Sequence, residues 1–221
     1  MNHTIELRDS NVVIIANDFN LTIMNSIWLY KHKIFTEEEL QGCSNSPIHF
    51  ETRTDDFIVS IVPNRLQFSI NPTYDNDAKK LILSKIGKLI ETLPHTPFSA
   101  AGLNFIYNVT PADKDINRLS RSLFCNESSK LFDGLEAKNV RFGGYFSQNF
   151  IDARFRLDAK PVKLTTPQTT EETIQLSYNF NVNITADDDT SKITDLFNKW
   201  DEAKKHTKEL TEKINLKDQN V

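Results

Sequence analysis

A chain of 221 residues with 38% hydrophobic side chains and a net charge of −4 suffices for one large domain or two small fused ones, hiding roughly 70% of its unfolded surface. Fifteen Phe against two Met and two Trp point to an aromatic core and exclude wholesale disorder. No apolar run reaches the ~18 residues of a membrane-spanning helix, and the first residues lack the apolar stretch of a secretory signal, which predicts a cytoplasmic protein with no membrane partner.

Val12 to Ala16 form a continuous apolar run suited to a central strand. Phe19, Leu21 and Ile23 continue it with period-two alternation. Thr36 and Glu39 have the spacing of a capping box, which opens a short helix. Residues 57–62 and 65–70 read as a hairpin turned at Pro63-Asn64. A helix follows from Asp75 or Asn76 to Leu93, with Ile82, Ile86, Leu89 and Ile90 on its apolar face, and Pro94 ends it. Leu103, Phe105, Tyr107 and Val109 alternate as one face of a further strand. Thr110, Pro111 and Asp113 have the residue types of a helix start, and Ile116, Leu119 and Leu123 its stripe.

Val140 to Phe146, interrupted by Gly143-Gly144, and Ile151 to Leu157 read as strands, with residues 160–172 as a loop. The clearest strand follows: Ile174, Leu176, Tyr178, Phe180, Val182 and Ile184 point one way and an Asn-rich set points the other. Asp187, Asp188 and Asp189 then sit at the favourable end of a last helix, running to Leu216.

The two halves follow one plan. Sliding residues 65–86 onto 179–200 aligns Leu66 with Phe180, Phe68 with Val182, Ile82 with Leu196 and Ile86 with Trp200, without a gap. The predicted fold class is α+β: a duplicated unit of antiparallel strands followed by a helix, helices packed on one sheet face, and a long C-terminal helix. Residues 1–97 are the first unit and 98–221 the second, joined as one pseudo-twofold domain.

Catalytic signatures are missing. The five histidines are scattered, no His pair has metal-ligand spacing, and no phosphate loop, dinucleotide loop or nucleophile elbow is present. Cys43 and Cys125 lie 82 positions apart and read as free thiols. The predicted protein therefore has no catalytic residue, no metal and no cofactor. An enzyme assembled from distant residues would draw first on Cys125, His49 or His95.

Two surfaces suggest partners. Ile193, Leu196, Trp200, Ala203, Thr207, Leu210 and Ile214 alternate spacings of three and four, a heptad seam. Trp200, Ala203, Thr207, Leu210 and Ile214 are thus the expected contact residues for a protein partner or a second copy. Residues 138–163 hold Lys138, Arg141, Arg154, Arg156, Lys160 and Lys163 against two acidic residues, interleaved with Phe142, Tyr145, Phe146, Phe150 and Phe155. That combination suits nucleic acid, with cations on phosphates and rings on bases. The leading expectation is a non-catalytic interaction or scaffold protein, with a nucleic-acid-binding accessory protein as the alternative.

Overall fold

The computed structural model describes residues 2–74, 76–126, 128–135, 140–165, 169–185, 188 and 190–216. Alternating side chains lay its strands into one sheet: β1 (Thr4–Ala16), β2 (Ser44–Ser46), β3 (His49–Arg53), β4 (Phe57–Val62), β5 (Arg65–Ile70), β6 (Phe98–Thr110), β7 (Gly144–Phe150), β8 (Ala153–Thr165) and β9 (Thr170–Asn183). The order across the sheet is β2-β3-β4-β5-β1-β6-β9-β8-β7, and every pairing is antiparallel. β1 and β6 form its middle, in register from Thr4↔Thr110 to Ala16↔Phe98 with two shifts.

The helices are α1 (Ser26–Lys31), α2 (Ala78–Ile82), which runs through a π turn (Leu83–Gly87) into α3 (Lys88–Glu91), α4 (Ile116–Phe124), α5 (Ser191–Asn198) and α6 (Trp200–Glu212). α5 lies against β6, and α6 against β6 and β9, with the core between. Phe105 meets Trp200 at 4.7 Å between ring centroids, and the Tyr178 hydroxyl lies 3.0 Å from Thr211 Oγ1, which seats α6. Lys85 reaches over Phe35, which packs on Phe57, which packs on Phe68, and this seats the π turn. Val12, Ile14, Leu103, Phe105 and Phe180 are fully buried beneath. Each such side chain contributes on the order of 2 kcal/mol. The chain is α+β, built on a large antiparallel sheet with a C-terminal helix.

The hairpin turned at Pro63-Asn64 is present, closing at Val62↔Arg65. The capping box also forms: Thr36 N–H donates to Glu39 Oε2 and Glu39 N–H to Thr36 Oγ1. Four expectations change. Phe19 and Leu21 belong to a turn after β1, buried but not a strand, and β1 extends instead back to Thr4. The helix expected from Thr110 starts at Ile116, capped by Asp115, because β6 uses the backbone through Thr110. The loop expected over 160–172 is largely strand, paired from Lys160↔Gln175 to Thr165↔Thr170. Pro161 is tolerated there because β7 accompanies β8 only to Ala159, leaving the missing N–H no partner to disappoint. The C-terminal helix breaks at Lys199 between α5 and α6. Of the helix-start residues, Asp75, Asp187 and Asp189 lie outside the described residues; Asp77 caps α2.

Candidate functional site: the uncovered sheet face

Side chains between the core positions point away from the helices. On the middle strands these are Asn11 and Val13 of β1, Gly102 and Asn104 of β6, and Asn179 and Asn181 of β9. The register sets Asn11 beside Asn104, Asn104 beside Asn179, and Asn179 beside Arg156 of β8. The amides are hydrogen-bonded in a row. Asn104 Nδ2 donates to Asn11 Oδ1 and Asn179 Nδ2 to Asn104 Oδ1, both at 2.8 Å. Asn11 Nδ2 donates in turn to Asp9 Oδ2 at 2.7 Å. Asn11 is buried at the end of the row, while half-buried Asn104 and Asn179 present oriented, uncharged amides at little entropic cost.

Gly102 makes room for the row. A β-carbon there would come within 3.1 Å of Asn179 Nδ2. Its bare backbone floors a depression of about 190 Å³ lined by Val13, Ile15, Arg65, Ala100 and Asn181. Toward α5 the face continues into a wider hollow of about 780 Å³, lined by Asn149, Arg154, Arg156, Asn183 and Lys192 among others. Further along β6, Asn108 is buried and its Oδ1 has no hydrogen-bond partner among the described residues.

The basic segment is divided by the strand pleat. Arg154, Arg156 and Lys160 are exposed on the uncovered face. Arg154 donates to Asn149 Oδ1 at 3.2 Å and Lys160 pairs with Asp158 at 2.9 Å; Arg156 has no ion pair among the described residues. Lys163 falls on the opposite face, Arg141 is paired with Glu172, and Lys138 lies outside the described residues. The aromatic set does not interleave with the cations. Phe142 and Phe155 are buried, Phe150 stacks on His206, and Tyr145 and Phe146 alone of the five are exposed.

The heptad seam points inward. Trp200, Ala203 and Thr207 are completely buried in the chain's own core, and Leu210 and Ile214 pack against it from the edge. Asn215 closes the seam by exchanging two hydrogen bonds with the backbone of His3. Their apolar atoms are thus already covered by β6 and β9, which replaces the expected free surface with an internal contact.

Shifted ionisations follow structure. Burial pushes the Tyr178 hydroxyl up to about 12 and raises Tyr107. The Thr185 N–H, with Lys192 and the Thr185 hydroxyl, holds Asp188 at about 2, so this carboxylate pins the turn before α5. Lys199 lowers Asp152. His49 on β3, His95 before β6 and Cys125 after α4 stand on separate elements, and among the described residues no group of three His, Cys, Asp or Glu is placed to hold a metal. The amide row and the Gly102 hollow escaped sequence reading, although the Asn-rich side of β9 was visible; joining Asn11, Asn104 and Asn179 requires the register. Compared with models of protein families, with curated proteins and with solved structures, the chain matches none.

Proposed function

We propose that the protein is a non-catalytic interaction protein of the cytoplasm that docks a protein partner on the uncovered sheet face. The observation that carries this reading is the amide row Asn11–Asn104–Asn179, hydrogen-bonded across three strands on the sheet face opposite Phe105 and Trp200, with Asn104 and Asn179 half-buried and Asn11 buried at its end. Uncharged amides cost far less to desolvate than charges, and exposed Arg154 and Arg156 supply the arginine that protein interfaces favour. A photo-crosslinking side chain placed at Ser177, on this face, should capture a partner that the same group at Lys205, on the solvent side of α6, does not. Equal capture from both positions, or none from Ser177, would overturn the reading.

Within the same proposal the scaffold is a duplicated unit, residues 1–97 and 98–221, related by a pseudo-twofold axis. Three pairings support it. Under the slide of 65–86 onto 179–200, Leu66 and Phe68 become Phe180 and Val182. Their sheet neighbours Ile14 and Val12 then become Leu103 and Ala101. Those four residues are themselves paired crosswise, Ile14↔Ala101 and Val12↔Leu103, so the operation returns the central ladder to itself about Val13↔Gly102.

Nucleic acid is the second reading, favoured by Arg154, Arg156 and Lys160 standing on one face beside the wider hollow. It requires retention on single-stranded nucleic acid that weakens with salt and with Arg154→Ala or Arg156→Ala. No retention at low salt disposes of it.

A further inference from the structure

We propose that two copies of this chain pair through β7, edge to edge and antiparallel, with Ser147 on the twofold axis. β7 is the last strand of the sheet and runs seven residues, Gly-Tyr-Phe-Ser-Gln-Asn-Phe. It holds no charge and no proline, the devices that ordinarily keep a sheet edge from pairing. The opposite edge is blunted instead, since β2 is three residues long.

The hairpin turn fixes which backbone groups are free. Ile151 and Asp152 both have positive φ, 50° and 54°, and they alone separate β7 from β8. This is a type I′ turn, whose flanking residues Phe150 and Ala153 form a hydrogen-bonded pair. Counting back along the register, Gln148↔Phe155 and Phe146↔Leu157 are also hydrogen-bonded pairs. Tyr145, Ser147 and Asn149 therefore direct both N–H and C=O away from β8, to the outside of the sheet. These positions are symmetric about Ser147. An antiparallel second copy sets Ser147 against Ser147 and Tyr145 against Asn149, completing about six backbone hydrogen bonds.

The surroundings fit a second copy. Of the large apolar side chains left exposed, Leu131 and Leu135 precede this strand in the chain and Tyr145 and Phe146 stand on it. The turn at Lys130–Phe132 packs on its entrance through Phe132 and Phe142, ring centroids 5.2 Å apart. The nearest charges on that face, Arg154, Arg156 and Asp158, sit one strand in, opposite Asn149, Ser147 and Tyr145. Across the joint, like charges of the two copies would stand three strand spacings apart, about 14 Å, and so be screened. This surface is separate from the amide row, so the inference stands or falls apart from the reading above.

The test is native mass spectrometry of the full chain at about 10 μM, a concentration at which a stable strand-paired dimer persists. The wild type should appear mostly at twice 25.4 kDa. Ser147→Lys puts two like charges face to face on the axis and should cut the dimer at least tenfold. Ser147→Glu alone should do the same, while an equimolar mixture of the two should restore a heterodimer. Circular dichroism matching the wild type establishes that each variant is folded. A second variant at an exposed position, Tyr145→Lys, should weaken the dimer without touching the core. A monomeric wild type overturns the proposal, as does a dimer indifferent to Ser147→Lys, or a mixture that fails to recombine.

Discussion

His206 lies flat on Phe150, their ring centroids 4.1 Å apart and their planes within 20°. The contact ties α6 to the end of the edge strand, and Phe155 meets the same imidazole edge-on at 5.5 Å. Between these rings His206 Nε2 is buried without a hydrogen-bond partner among the described residues. A charged imidazolium is poorly served there.

Acid should therefore loosen the C-terminal helix. Burial lowers the His206 pKa below its ordinary value of 6.5, Lys213 adds to the shift and Glu209 opposes it. The unfolded chain then takes up the proton more readily than the folded one. This part of the stability is complete above pH 6.5 and is lost as pH falls through the lowered folded value. Urea midpoints at pH 8 and pH 5 (roughly one and a half units either side of the ordinary value) should differ more for the wild type than for His206→Phe. Equal differences would remove His206 from the account.

Trp200 is the largest buried side chain of the core, and its indole Nε1 has no partner among the described residues. Trp200→Ala should cost about 3–5 kcal/mol, the usual range for emptying an aromatic site. Trp200→Phe should cost much less, since it keeps the contact with Phe105 and removes an unpaired donor. Truncation after Ala203 should also destabilise the whole chain, because it deletes buried Thr207 and Thr211 and the Tyr178 partner. Chemical denaturation followed by tryptophan fluorescence measures the first two, and circular dichroism the third.

Much of this scaffold was legible from pattern alone. The alternation over 174–182 and 103–109 identified the buried faces of β9 and β6, because a pleated strand sorts its side chains by parity. The pattern failed where a tertiary contact decides between two faces. The heptad spacing of Trp200, Ala203 and Thr207 marks an apolar stripe but does not say whether a sheet or another protein covers it. In the same way, the basic character of 138–163 was visible, while the sorting of Arg154 and Lys163 to opposite faces depends on β8 running on past Pro161. The amide row was legible one strand at a time.

Gly143 supports the entrance to the edge strand. A side chain at this position would collide with the carbonyl of Ala159, a backbone atom that cannot swing away. Gly143→Ala should cost about 2–3 kcal/mol and should release the start of β7. Hydrogen exchange would register this as faster exchange over 144–147 while β1 and β6 stay protected. Uniform protection in the variant would mean that the backbone moves aside at small cost.

Lys199 performs two jobs at the break between α5 and α6. Its ammonium group donates to the Ile151 carbonyl at 3.0 Å and to Asp152 Oδ2 at 2.6 Å, and it thereby holds the positive-φ turn against the helices. Asp152 is almost fully exposed, so the ion pair itself contributes little; the bond to the carbonyl of the strained Ile151 matters more. Lys199→Met should therefore cost about 1 kcal/mol, and Asp152→Asn much less. A larger loss from Asp152→Asn in thermal melts would reverse that order.

The amide row gives the sharpest separation of stability from binding. Asn104 sits at its centre, accepting from Asn179 and donating to Asn11. Asn104→Ala should destabilise by about 1–2 kcal/mol, because buried Asn11 and half-buried Asn179 each lose a partner. Gly102→Ala acts on the same row differently. Its methyl group presses on Asn179 Nδ2, yet replacing a strand glycine returns roughly 0.5–1 kcal/mol of backbone entropy, so its net effect on stability should be small. The methyl also fills the hollow at the centre of the face. If a partner seats there, Gly102→Ala should lower capture through a crosslinker at Ser177 several-fold while leaving the melting temperature nearly unchanged. Unchanged capture would place the partner's contact away from Gly102, toward Arg154 and Arg156.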